Sequence, residues 1–238
     1  MTNLSVNLNK IALLRNTRNI GIPSVTRAAQ ICIEAGAHGI TVHPRPDERH
    51  IRPSDVFELA KMLTVEFNIE GNPLQPPFMD IVRQVKPTQC TLVPDSPDTP
   101  TSDRGWNLIE EGAQLIPIIQ ELKDLGSRIS LFMETDLEQI PRAREIGSDR
   151  IELYTEPYAT AFRNGNVEPL FAQYARAAKQ AQAVGLGVNA GHDLNLNNLG
   201  KFCSIGGILE VSIGHALTAE ALEMGLYNTV KAYLKILF

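Results

Sequence analysis

Four of the five histidines in the sequence stand where an apolar run gives way to a polar turn. His43 follows the run Gly39–Val42 and His50 lies in the loop beyond it. His192 closes Asn189-Ala-Gly-His, and His215 closes Ser212-Ile-Gly-His. Only His38 falls elsewhere, in a helix-to-strand turn. Imidazole takes up and returns protons near neutral pH, so such a set suits a reaction with several proton transfers. Glu70 is placed alike, after Phe67–Ile69 and before Gly71. A carboxylate at the end of an apolar run is partly desolvated, which raises its pKa and fits it for general acid–base work. Each has a plainer alternative: a carboxylate paired with an arginine for Glu70, and a ring bonded to a backbone carbonyl for His43.

Anion binding has its own candidates. Arg45, Arg49, His50 and Arg52 cluster in one loop whose start is stiffened by Pro44 and Pro46. Planar guanidinium forks suit a phosphate, although Arg49 and Arg52 read more simply as solvated charges. Gly191 beside His192 and Gly214 beside His215 allow a bare backbone to approach an anion, and Gly214-His215 opens a helix whose first N–H groups are free. No H-x-x-x-H or H-E-x-x-H spacing occurs, so a metal would need ligands from separated segments, and none is expected.

These residues must be positioned by the elements around them. Eight short runs rich in Val, Ile and Leu read as strands: Leu4–Leu8, Gly39–His43, Phe67–Gly71, Gln89–Pro94, Arg128–Met133, Arg150–Thr155, Gly187–Ala190 and Gly207–Ile213. Such composition fits strands covered on both faces. Helical patterns lie between them, at Ser24–Ala35, Pro53–Val65, Asn107–Leu125, Asp136–Ile146, Val167–Val184 and His215–Met224. In "EAGAHGI", "DLGSRI", "EIGSDRI" and "AVGLGV" a helix stops at Gly and a strand starts shortly after. Eight such units in 238 residues favour a closed (β/α)8 TIM barrel over an open sheet, as one catalytic domain over 1–238. Active sites of such barrels lie at the C-terminal ends of the strands, with phosphate held after strands seven and eight. Asn7-Leu8-Asn9-Lys10, His43, Glu70, Glu152, His192 and His215 all fall at strand ends. The polar segment Asp95–Gly105 follows strand four. A last helix, Leu226–Phe238, aligns Val230, Tyr233, Leu234 and Leu237 for packing on the barrel or on another subunit. The net charge of −5 speaks against nucleic acid. No leader pattern and no membrane span are read, so a cytoplasmic protein is expected. Cys32, Cys90 and Cys203 have no paired spacing and read as buried small residues.

The runs "VNLNKIALLRNTR", "AGAHGITVHPRPDERHI", "FNIEGN", "LVPDSP", "IELYTEPYA", "VNAGHDLN" and "SIGHAL" are similar, in order and spacing, to the pyridoxine 5′-phosphate synthase family, over almost the whole chain. The resemblance implies condensation of 3-amino-2-oxopropyl phosphate with 1-deoxy-D-xylulose 5-phosphate, releasing inorganic phosphate and water, without metal or organic cofactor. By motif, it makes His43 and Glu70 general bases and His192 the general acid. It assigns Asn7, Arg18, Gly214 and His215 to the amino-ketone phosphate, with Asp193 beside them, and Arg45, His50 and Thr101 to the sugar phosphate. It further implies a homo-octamer built on helices added to the barrel. The chain has Asn9-Lys10 where well-known members have Asp-His, Asp193 where they have Gly, and Tyr154 and Glu156 where they have His and Gly. Lys10 therefore has two readings: a phosphate or carbonyl contact, or the Schiff-base lysine of a phosphoketose aldolase. A barrel that binds without catalysing is the third alternative.

Overall fold

The computed structural model describes residues 1–18, 20–96 and 102–238. Eight parallel strands close into a barrel in chain order, the eighth pairing with the first. They are β1 (Asn3–Asn7), β2 (Gly39–Val42), β3 (Glu66–Gly71), β4 (Gln89–Leu92), β5 (Arg128–Met133), β6 (Arg150–Tyr154), β7 (Gly187–Gly191) and β8 (Ile208–Ile213). All eight expected strands are present, with ends displaced by at most two residues. The helices are α1 (Asn9–Asn16), α2 (Val25–Glu34), α3 (Pro53–Met62), α4 (Phe78–Val85), α5 (Gly112–Asp124), α6 (Ile140–Glu145), α7 (Glu156–Arg163), α8 (Glu168–Ala183), α9 (Leu199–Cys203), α10 (His215–Met224) and α11 (Leu226–Leu237). Ser24 caps α2 by accepting from the Arg27 amide at 3.1 Å, as its position implied. No helix among the described residues is long and apolar enough to cross a membrane.

The strands are covered on both faces, but not by the same chemistry. Leu4, Val6, Ile40, Val42, Ile69, Leu92, Leu131, Ile151 and Val188 are fully buried and belong to one apolar core with the helices. Their neighbours of opposite parity point inward and, apart from glycines and Phe132 at the mouth, are polar. Ser5 and Thr41 share a hydrogen bond at 2.7 Å, and Asn68 reaches Thr41 at 3.3 Å. Thr91 donates to Asn68 at 3.0 Å, and Gln89 donates across the barrel to Glu210 at 3.2 Å. The Val-, Ile- and Leu-rich runs are covered on both faces as expected; the inward face is nevertheless largely polar, and most of its side chains bond one another, Ser130, Ser212 and one oxygen of Glu152 having no hydrogen-bond partner among the described residues. At the N-terminal end, Arg128 and Arg150 stand 3.9 and 3.5 Å from Glu210, and Arg128 also pairs with Glu66.

Among the described residues, three helices exceed the minimal one-per-strand pattern. Two of them, α1 and α7, follow the site-bearing ends of β1 and β6, and the third is the second of the pair after β8. The last helix, α11, packs on α2, α9, α10 and β1 through Val230, Tyr233 and Leu234, so the first of the two packing alternatives holds. The helices α1, α4, α7 and α9 were not read from the sequence; α9 has only five residues and α1 is weakly amphipathic, whereas α4 carries Phe78, Ile81, Val82 and Val85 at helical spacing and its signal was available.

The α1 helix fixes the loop that carries His50. Arg15 pairs with Asp55, and both are buried. Arg15 also donates to the His50 carbonyl at 3.1 Å, and Asn16 donates to the carbonyls of Arg49 and His50 at 3.1 and 2.8 Å. The same Asp55 accepts from the Arg52 amide at 2.8 Å, closing the first turn of α3. Replacing Asp55 by Ala leaves a buried guanidinium without its counter-charge, a change that costs about 3–5 kcal/mol. The urea midpoint of Asp55→Ala is expected to fall accordingly, whereas removing Glu168 from its exposed pair with Lys201 should shift it little. Equal midpoints for the two variants would contradict the clamp.

Candidate active site

Alternation along the strands decides which side chains reach the mouth of the barrel. Glu70 sits two residues beyond Asn68 on β3 and Glu152 two beyond Arg150 on β6, so both turn inward. Asn7, the last residue of β1, donates from Nδ2 to the Glu70 carboxylate at 3.2 Å. Burial, then repulsion from Asp95 and Glu210, push the Glu70 carboxyl up to about 8, against the opposing bond from Asn7. Burial beside Glu70 and Glu210 likewise raises Glu152 well above the usual carboxylate range. One of its oxygens has no hydrogen-bond partner among the described residues. Its other oxygen lies where a side chain on Gly191 would stand, so the glycine makes room for it.

His43 follows β2, and its backbone amide donates to Asn9 Oδ1 at 2.9 Å. Its ring faces that of His50, with centroids 6.0 Å apart. Burial, with His50 and Arg45 next in effect, holds the His43 imidazole well below its ordinary pKa. Burial and then Arg45 bring His50 down to about 4, while its Nδ1 accepts from the Ile51 amide at 2.9 Å. Both shifts favour the neutral rings at pH 7.

His192 is set by an uncommon backbone. It and Asp193 have φ of +82° and +57°, a region that costs a non-glycine residue about 1–3 kcal/mol. Thr155 holds the turn: its hydroxyl lies 2.5 Å from the carbonyls of both Gly191 and His192, and its amide donates to Gly191 at 3.0 Å. Asn198 donates to the Asp193 carbonyl at 3.1 Å. The His192 ring is thereby turned against Phe132 and Tyr154, with centroids 5.1 and 5.4 Å away. Burial lowers His192 to about 4; Asp193 opposes this and Lys10 adds to it.

A cavity of about 270 Å³ opens at this end of the barrel. His43, Glu70 and His192 all line it. So do Asn7, Asn9 and Lys10 from the first strand end, Arg45 and His50 from the second loop, and Asp193, Gly214 and His215 from the last two. Gly214 precedes α10, and a side chain there would come within 3.1 Å of Asn7. Arg18 is exposed beyond α1 and is not among the lining residues. Thr101 lies outside the described residues. Glu152, Ser102 and Ser212 also line the cavity without having been singled out as site residues. The signal for Glu152 and Ser212 was available, since each shares the inward parity of its strand; Ser102 carries no comparable mark. Among the described residues no group of three His, Cys, Asp or Glu side chains is arranged to hold a metal ion.

Over residues 4–238 the chain matches the family described as pyridoxal phosphate biosynthesis protein PdxJ. It is similar to the pyridoxine 5′-phosphate synthase of Albidiferax ferrireducens, with 53% identity covering 98% of this chain and 96% of that one. The enzyme of the same name from Xanthomonas campestris pv. campestris is 52% identical, covering 99% and 96%. Among solved structures, phosphoribosylanthranilate isomerase from Thermotoga maritima superposes with a TM-score of 0.59 at 14% identity, covering 100% of this chain and 98% of that one. Thiamine phosphate pyrophosphorylase from Pyrococcus furiosus gives 0.61 at 14% identity, covering 99% and 95%. At that identity the two structures speak to the barrel fold alone.

The raised carboxyl of Glu70 has a consequence for stability. The folded chain keeps that proton up to about pH 8, whereas an ordinary glutamate loses it near 4.5. Between these values the folded state binds more protons than the unfolded state, so stability falls as pH rises through the window. Glu70→Gln removes the titration. The variant's stability relative to the parent should therefore grow between pH 5 and pH 8.5, by an amount on the order of 3–5 kcal/mol. Denaturant unfolding at the two pH values checks this; a difference that does not change with pH would contradict a desolvated Glu70.

Proposed function

The chain belongs to the family of the pyridoxal phosphate biosynthesis protein PdxJ, and on that premise we propose that it is a pyridoxine 5′-phosphate synthase. It joins 3-amino-2-oxopropyl phosphate to 1-deoxy-D-xylulose 5-phosphate and releases inorganic phosphate and water. The observation that carries this reading is the convergence of His43, Glu70 and His192 on one cavity, from the ends of β2, β3 and β7. Imine formation, dehydration, phosphate loss and ring closure each move a proton at a different atom, and one general base could not reach them all.

In this scheme His43 and Glu70 take protons and His192 supplies one. Glu70, with its pKa raised to about 8, lies near balance between acid and base around neutral pH, the condition for efficient transfer in either direction. His192 starts neutral, at about 4. A phosphate dianion entering beside it would raise its proton affinity and prepare it as an acid. The neutral Glu152 carboxyl is a hydrogen-bond donor facing the same space. Gly214-His215 at the start of α10, with Asn7 and Asp193, would surround the amino-ketone phosphate, and Arg18 is assigned to the same phosphate. Arg45 and His50 would hold the sugar phosphate, with Asn9, Lys10 and Thr101 assigned to its side of the site. No metal or organic cofactor enters this scheme.

The same reading gives a cytoplasmic enzyme, working as a homo-octamer with the whole of 1–238 as its catalytic domain. Exposed Leu13 and Leu14 on α1, Leu222 and Met224 on α10, and Tyr227 on α11 support self-association, because a lone chain leaves these apolar side chains in water. Light scattering on the purified chain measures the assembly directly.

Mass spectrometry of the two substrates with the purified chain should reveal pyridoxine 5′-phosphate. Glu70→Gln is expected to lower turnover about 10²–10⁴-fold while binding of either phosphate ester changes little. Substantial residual turnover would remove Glu70 from proton transfer. Borohydride treatment in the presence of the sugar phosphate should leave Lys10 unmodified; a covalent adduct there would instead establish the Schiff-base aldolase.

A further inference from the structure

Asp95 follows β4 and lies behind the reaction cavity, in a narrow pocket shared with His43, Arg45 and Ser96 and not on the cavity surface. Its carboxylate accepts from Arg45 Nη1 at 2.7 Å and from the Ser102 hydroxyl at 2.9 Å. Its carbonyl accepts from Asn72 Nδ2 at 3.0 Å and Gln75 Nε2 at 3.3 Å. Arg45 in turn donates from Nη2 to the Ser96 carbonyl at 2.9 Å. Arg45 and Asp95 are 3% and 6% exposed, so each is the other's counter-charge in a place where an unpaired charge is costly. One buried residue thus joins the loops that follow β2, β3 and β4.

We propose that Asp95 is a positioning residue for the reaction: from behind the cavity wall it fixes the guanidinium of Arg45 for the sugar phosphate and holds Ser102 at the rim. The inference rests on the reaction proposed above and extends it to a residue that touches neither substrate. A guanidinium recognises phosphate through a planar fork, so its value depends on the plane in which it is held. Nη1 bound to the carboxylate and Nη2 bound to the adjacent carbonyl define that plane. Ser102 lines the cavity, and its bond to the same oxygen sets its distance from the guanidinium.

Asp95 also acts on Glu70 through space. The groups that face Glu70 are Asn7 from β1, Asp95 after β4, Glu152 from β6, and Glu210 and Ser212 from β8, with His43 and Lys10 sharing the cavity. Burial aside, Asp95 is the strongest influence raising the Glu70 pKa. Removing its charge while keeping its shape should therefore move two observables together, which a merely structural residue would not do.

The test uses the full chain and compares Asp95→Asn, Asp95→Glu and Ser102→Ala. In Asp95→Asn the KM for 1-deoxy-D-xylulose 5-phosphate should rise about tenfold or more with a smaller change in kcat, since Arg45 loses its charged anchor. The acid limb of its kcat/KM profile should move to lower pH, because Glu70 loses a repelling neighbour. Asp95→Glu, which keeps the charge, should keep the limb near that of the parent. Calorimetry of the sugar phosphate on parent and Asp95→Asn reads the Arg45 arm without turnover. If the parent binds the sugar phosphate but makes no product, the reaction reading fails, and the calorimetric comparison still judges Asp95. A folded Asp95→Asn with parental affinity and an unmoved limb overturns the inference. Should that variant not fold, Ser102→Ala decides: a raised KM with an unmoved limb supports the inference, and an unchanged KM overturns it.

Discussion

Three carboxylates, Glu70, Glu152 and Glu210, point into one barrel, and their mutual repulsion in a buried space is the constraint from which the site follows. Glu210, toward the N-terminal end, is met by Arg128 and Arg150 and by the amide of Gln89. Among the described residues neither Glu70 nor Glu152 has an ion pair; burial favours the neutral form of both, with Asp95 and Glu210 adding to it at Glu70 and Glu70 and Glu210 at Glu152. The floor of the barrel is thus an ionic plug and its mouth a store of carboxylic acids. Inward parity is the same at both ends; the presence or absence of arginine separates structure from reactivity.

The imidazoles obey the complementary rule. Burial disfavours charge on His43, His50 and His192, and the neighbouring cations Arg45 and Lys10 add to it. Anionic substrates would bring charges of their own among these neutral acids and bases and reset the proton affinities around them. Recognition and acid–base activation are in this sense one event. Precise aim is supplied by neighbouring backbone and side-chain bonds: from Thr155 and Asn198 for His192, from Asn9 at the cavity edge for the backbone of His43, and from Arg15 and Asn16 for the loop of His50.

Strand positions were legible because their outward faces carry long β-branched and Leu residues between Gly stops, and the eightfold recurrence of that event implies closure. The strand-end residues were legible for the same reason: once the strands are placed, His43, Glu70 and His192 have nowhere to go but the mouth. The polar inward face was harder to see, since each strand is short and Ser, Thr and Asn alternate with aliphatics as they would in a half-exposed sheet. Glu152 was visible as a strand end, yet its partnership with Glu70 depends on the barrel closing and bringing β3 and β6 within reach. Asp95 opens the polar segment after strand four, in which the family resemblance assigned a role to Thr101 alone; its bond to Arg45 spans fifty residues of sequence, and no local pattern foretells it. The helix α1 escaped because Asn9–Asn16 is short and only weakly amphipathic.

The polar lining of the barrel has a thermal consequence. The aliphatic contacts of this chain lie in the annulus between strands and helices, and the axis is occupied by hydroxyls, amides and charged groups. Heat-capacity change on unfolding grows with newly wetted hydrocarbon and shrinks with newly wetted polar surface. Melting this molecule therefore carries a smaller increment per residue than melting a barrel stuffed with valine and isoleucine, and its free energy curves more gently between cold and heat.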